Sequence, residues 1–252
     1  MHGENPEIPK CFSFALTTAE GHRTYTTCLV FDEPIDPVLS KSLPPFLNLK
    51  WVQKAICLSS RYHYFDQYKQ ILACLYRVHL SQKLTVPLER FIQYVVDFLP
   101  RPALPQIESI SPAQDRIQID LVQSRIDFEA QYSQFEPFAS KQAISNLLKT
   151  LSPENIVQVH MKLCLERKLI FVSKHKALLM QTIASFIAFL FPLRWEHTLV
   201  PLLSGAMIDV LDAPLPFIVG LEWDIFREYA DLSEPQQLGD LTVVFLDQNR
   251  VQ

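Results

Sequence analysis

Polar and apolar positions alternate from Cys11 to Thr17, which puts Phe12, Phe14 and Leu16 on one face of an extended strand. Thr24 to Phe31 is its natural antiparallel partner. Gly21 lies in the turn between them and can take a positive φ at little cost. Trp51 to Leu58 reads as a third strand. From Tyr64 the period changes from two to 3.6. Phe65, Tyr68, Ile71, Leu72 and Leu75 form one stripe, with Asp66, Gln67, Lys69 and Gln70 opposite, which predicts a helix to about Leu80. A second helix is expected from Pro87, burying Leu88, Phe91, Ile92, Val95 and Leu99 and stopped by Pro100, Pro102 and Pro105. Pro100 to Pro112 reads as a loop, Arg116 to Val122 as a strand, and Ser124 to Pro137 as an aperiodic linker.

The second half alternates helix with short apolar strand. Ser152-Pro153-Glu154 is a helix start, with a capping hydroxyl, a first-turn proline and an acid at the positive dipole end. That helix is expected to bury Ile156, His160 and Leu163. Lys168 to Ser173 is a strand, and Lys176 to Phe191 a helix apolar on nearly every side, hence one held between two layers. Thr198 to Leu202, Pro216 to Val219 and Leu241 to Leu246 are further strands. Such a pattern predicts a mostly parallel sheet covered on both faces. The fold class is therefore α/β with an α+β first lobe, divided as residues 1–123, a linker at 124–137, and 138–252.

Composition narrows the function. The 252 residues are 48% hydrophobic and 20% charged, as in a globular protein. The net charge is -4, and no Lys/Arg block suggests nucleic acid as a partner. The five cysteines (Cys11, Cys28, Cys57, Cys74, Cys164) form no CxxC pair and read as small buried hydrophobes in a reduced, cytoplasmic protein, with no metal site. Met1 to Lys10 is polar, which predicts no secretory signal. Ala177 to Leu193 falls short of the roughly 20 apolar residues of a membrane span. With only five glycines, the chain has neither a dinucleotide fingerprint nor a P-loop, and no cofactor is expected.

Candidate chemistry is sparse. His160 on its helix stripe lacks HxxxH or HExxH spacing, and reads as structural. Leu203-Ser204-Gly205 lacks the first glycine of a nucleophile elbow, so Ser204 reads as a cap for the segment that follows. Asp209 and Asp212 precede Pro214 and Pro216, and suit helix-end and turn acceptors. Glu166-Arg167-Lys168 reads as a solvated loop. No catalytic residue emerges from the pattern.

Three blocks resemble the DENN family. Phe12 to Phe31 is similar to the opening of its upstream segment, with Gly21, Arg23 and Tyr25 in register, and Ala55 to Leu72 continues it, His63 and Tyr64 replacing a usual Pro-Phe. Leu163 to Leu221 resembles the central segment at Glu166, Lys168, Ser173, Pro192, Trp195, His197, Pro201, Asp209, Ala213, Pro214, Pro216, Phe217 and Gly220. Leu241 to Val251 resembles the strand that follows, with Asp247 and Asn249 matching. The family has more sequence ahead of the first strand and a mostly helical downstream segment after Asn249. The chain is thus expected to be a short form, a fragment or one part of a split gene.

The resemblance implies a longin-like first lobe and an α/β second lobe. It also implies exchange activity: a Rab-type small GTPase docks across the two lobes and loses GDP, in vesicle trafficking, without covalent catalysis. Ser60, Arg61, Trp195, His197, Asp212, Pro214 and Pro216 are the candidate partner-binding residues. A Rab-binding effector or scaffold without exchange activity is the alternative. A GTPase-activating role would need a loop arginine, Arg101 or Arg194, and an enzyme of another type would reveal itself by a bound metal or cofactor. Membrane contact would be peripheral, through the GTPase, on vesicles or endosomes.

Overall fold

The computed structural model describes residues 8–17, 23–35, 50–62, 64–81, 88–98, 116–121, 124–129, 139–232 and 241–252. The Gly21 turn, His63, the Pro87 helix start, the 100–112 loop and Arg101 lie outside them. The chain divides into two compact units: residues 1–12, 27–59 and 64–132, and residues 13–26, 60–63 and 133–252.

The first half holds strands β1 (Lys10–Thr17), β2 (Arg23–Pro34) and β3 (Trp51–Ser60), ordered β1-β2-β3 in an antiparallel sheet. Helix α1 (Phe65–Ser81) buries four of the five residues of the expected stripe, Tyr68, Ile71, Leu72 and Leu75, together with Cys74, while Phe65 is half-buried. Helix α2 (Leu88–Phe98) differs from expectation. Val95 is buried and Phe91 half-buried, but Ile92 is exposed, because it stands about 100° around the helix from Phe91. The segment expected to be aperiodic opens with a strand. β4 (Arg116–Leu121) and β5 (Ser124–Glu129) pair antiparallel, Ile119 opposite Ile126. Ile126 and Phe128 face inward between exposed Arg125 and Asp127, and Phe128 meets Tyr64 edge-to-face at 5.1 Å. Two inward residues are too short an alternation to stand out in sequence. Glu33 on β2 pairs with Lys54 of β3 and with His79 of α1, which holds its carboxyl below the usual range.

The second half is built on a five-stranded sheet ordered β10-β9-β6-β8-β7. Its strands are β6 (Leu169–Ser173), β7 (Thr198–Val200), β8 (Phe217–Glu222), β9 (Thr242–Phe245) and β10 (Arg250–Val251). Pairs β6–β8, β6–β9 and β7–β8 are parallel, and β10 runs antiparallel to β9. Alternate residues feed two cores. Leu169, Phe171, Ile218 and Val244 pack with helices α3 (Lys141–Thr150), α4 (Pro153–Cys164) and α5 (Lys176–Phe189). Ile170, Val172, Val219 and Phe245 pack with helix α6 (Trp223–Leu232) and the 3₁₀ segment Gly205–Asp212. The sheet is thus covered on both faces, as expected. α5 is buried from Leu179 through Ile187 except at half-buried Gln181, which accepts from Asn146 of α3 at 2.8 Å.

Ser152 caps α4 by accepting from the Asn155 N–H, and Pro153 opens it. α4 buries Val159 and Leu163. His160 is only half-buried, with Nε2 3.7 Å from Cys164 Sγ. Ser204 sits at the N-cap position of the 3₁₀ segment, but its hydroxyl makes no cap bond, contrary to its expected role. The cysteines also split. Cys28 and Cys74 are buried as expected, Cys11 is half-buried, and Cys57 and Cys164 are exposed. Burial and the neighbouring Cys57 thiol push the Cys28 thiol up to about 12, so it stays protonated at neutral pH. No helix among the described residues is long and apolar enough to cross a membrane.

Candidate functional site

The parallel register fixes an edge. Leu169 pairs with Ile218 and with Thr242, and Thr198 pairs with Phe217. The segments entering β6, β7, β8 and β9 therefore all meet the sheet at its amino-terminal edge. Five of the candidate binding residues fall on the segments leading there. Trp195 and His197 precede β7, Pro214 and Pro216 precede β8, and Asp212 ends the 3₁₀ segment just before them.

The edge is tied together by specific bonds. His197 Nε2 lies 3.2 Å from Glu166 Oε1, so the β6 and β7 entry loops are linked across β8. Glu166 reaches that position from a left-handed backbone, φ 51°. Lys168 Nζ stands 6.0 Å over the Phe217 ring at the start of β8. Arg23 Nη2 donates to the Trp195 carbonyl at 3.2 Å. The Trp195 ring meets His197 edge-on at 5.2 Å, and its indole N–H donates to the Thr198 carbonyl at 3.2 Å.

The candidates differ in what they present. Trp195 is 2% exposed and sits in the α5-side core. Its surface is spent inside the fold. His197 and Pro216 are half-buried, while Asp212 and Pro214 are exposed. Ser60 and Arg61 are elsewhere, at the turn after β3: the Ser60 hydroxyl accepts from the Tyr62 N–H at 3.1 Å, and Arg61 is exposed. Arg194 is exposed and pairs with Glu196 at 3.3 Å.

Sequence reasoning missed the apolar character of this edge. Leu165 before β6, Phe191 and Leu193 before β7, and Leu215 before β8 are each 64–67% exposed. These large apolar side chains are held open to solvent on entry loops and do not belong to either core. In sequence they were absorbed into neighbouring apolar runs, so only the loop positions could have flagged them. The roles of Arg23 and Glu166 were also missed, although both stood in the quoted motifs.

The opposite, carboxyl edge is closed by bonds of its own. Asp247 Oδ1 accepts from the Ser173 hydroxyl at 2.9 Å, and Oδ2 from the Lys174 N–H at 2.8 Å. Lys176 pairs with Glu222 at 3.1 Å. Among the described residues, no three His, Cys, Asp or Glu side chains gather as metal ligands would.

Comparison with known proteins agrees with this architecture. Residues 51–249 match the DENN (AEX-3) domain, and residues 2–31 match the uDENN domain. DENN domain-containing protein 3 of Mus musculus is 30% identical over 220 residues, covering 84% of this chain and 17% of that protein. DENN domain-containing protein 2A of Homo sapiens is 28% identical over 222 residues, 83% of this chain and 19% of its own length. The DENN domain and WD repeat-containing protein SCD1 of Arabidopsis thaliana is 26% identical over 247 residues, 97% of this chain and 19% of its own length. The chain thus spans about a fifth of the relatives it matches. With the DENN domain matched from residue 51 to 249 and uDENN ahead of it, the chain belongs to the DENN family.

Proposed function

We propose that this chain binds a Rab-type small GTPase and promotes release of its GDP. The observation that carries the reading is the amino edge of the parallel sheet, which holds Phe191, Leu193 and Leu215 open to solvent in a chain of the DENN family. A GTPase holds GDP through a P-loop, Mg²⁺ and ordered switch segments. A protein that binds the nucleotide-free switches more tightly than the GDP-bound ones shifts that equilibrium without acid or base chemistry. Each tenfold loss of nucleotide affinity needs about 1.4 kcal/mol of differential binding. An interface of ordinary size, roughly 1,600 Å² in total, can supply several such factors.

In this reading Phe191 and Leu193 are the apolar anchors. His197, Asp212, Pro214 and Pro216 contribute the polar and shaping contacts around them, and Ser60 and Arg61 add a separate contact. Trp195 supports the loop from beneath. The protein works in the cytoplasm and reaches vesicle membranes through the lipidated GTPase. The test is release of fluorescent GDP from a panel of Rab GTPases with excess GTP present. Acceleration of one or a few members supports the reading. Binding without acceleration would replace it with an effector or scaffold role.

A further inference from the structure

Helix α4 carries two apolar faces. Val159 and Leu163 are buried in the core, yet Val157, Met161 and Leu165 form a second row at i, i+4 and i+8 that is 58–64% exposed. With Pro153 they line a shallow open groove along the outer side of the helix. A polar row runs beside the apolar one at the same spacing: Glu154, Gln158, Lys162. Its ends carry opposite signs. Glu154 is ionised at neutral pH, its carboxyl held low by its own backbone N–H and by the Ser152 hydroxyl.

We propose that this face is a self-complementary interface, joining α4 to α4 of a second copy of the chain about a two-fold axis. In such an antiparallel pair, residue i faces residue j with the sum i + j constant. An axis at the level of Val159 sets Val157 against Met161 of the second copy, and Pro153 against Leu165. On one side of the helix the flanking rows then lie side by side. Glu154 comes within about 3 Å of axial register with Lys162 of the second copy, a gap that these side chains span. The reciprocal pair forms by symmetry, and Gln158 meets its own copy near the axis. The charge order along the helix, acid first and base last, is the order that an antiparallel copy complements. A single helix pair falls at the small end of specific interfaces, below roughly 1,200 Å², so association should be weak and concentration-dependent.

The test is the oligomeric state of the purified chain by sedimentation velocity from micromolar concentration upward. Wild type should pass from monomer to dimer. Met161→Asp should remain monomeric, with its melting temperature little changed because the side chain is exposed. Glu154→Lys alone and Lys162→Glu alone should each weaken dimerisation at least tenfold, by setting like charges face to face. The double reversal Glu154→Lys/Lys162→Glu should restore it, although both new charges are unfavourable for the helix dipole. A wild-type monomer at every concentration would overturn the proposal and leave the face to a different protein or to a further segment of a longer chain. So would single reversals without effect, or a double reversal that fails to recover the dimer. None of these variants changes Phe191, Leu193 or Leu215, so GDP release is measured separately from the oligomeric state, although Leu165 belongs to both faces.

Discussion

A Cβ on Gly220 would run into the backbone carbonyl of Pro201 and stand 3.3 Å from Ile183 Cδ1. The approach is fixed, because the Leu203 N–H donates to the Gly220 carbonyl at 2.8 Å. Gly220→Ala should therefore destabilise at the upper end of the roughly 1–3 kcal/mol typical of overpacking, lowering the melting temperature by several degrees in a thermal scan. Trp195 and His197 separate two roles that sequence had joined. Trp195→Ala opens a core cavity and should cost about 3–5 kcal/mol, so lost activity in that variant would report unfolding. His197→Ala removes a half-exposed pair with Glu166 and should cost under about 1 kcal/mol. It should leave the melt nearly unchanged while reducing GTPase binding in a pull-down titration. Unchanged binding by folded His197→Ala would remove it from the site.

At the scale of elements, the turn after β9 locks the start of α4. Asn249 adopts a left-handed backbone, φ 48°. Its side-chain oxygen accepts from the Ser152 N–H and from Asn155 Nδ2, each at 2.8 Å, and its carbonyl accepts again from Asn155. Asn249→Ala loses the side-chain bonds and strains the backbone, an expected cost of about 2 kcal/mol. Asn249→Gly relieves the strain but not the lost bonds, and should melt between wild type and Asn249→Ala. Equal melting of the two variants would mean that the backbone conformation contributes nothing. The strands and helices were legible wherever the period was long. α1 showed in a stripe of five residues, and β6 in an unbroken apolar run. β5 escaped because only Ile126 and Phe128 alternate, and Ile92 was misplaced because neighbouring apolar residues on a helix look equivalent until packing selects one stripe. α3 has a polar sequence whose buried side is Ala143 and Leu147, too narrow a stripe to announce itself.

At the scale of the whole chain, several residues that carry the resemblance have structural roles: Pro201 against Gly220, Asp247 under the β6–α5 turn, Asn249 at the start of α4, Trp195 in the core. Their contacts hold the sheet and its connections in place. The proposed docking surface lies instead in exposed loop residues, Phe191, Leu193 and Leu215, whose meaning depends on the sheet register that brings two entry loops to one edge. That register arises from long-range pairing, which local periodicity does not contain. The most direct measurement compares Rab GDP release by wild type with that by Leu193→Glu, at matched melting temperature. Stimulation by wild type, reduced tenfold or more in Leu193→Glu, is the predicted result. A folded wild-type chain that stimulates no Rab, or a folded Leu193→Glu that stimulates as well as wild type, would contradict it.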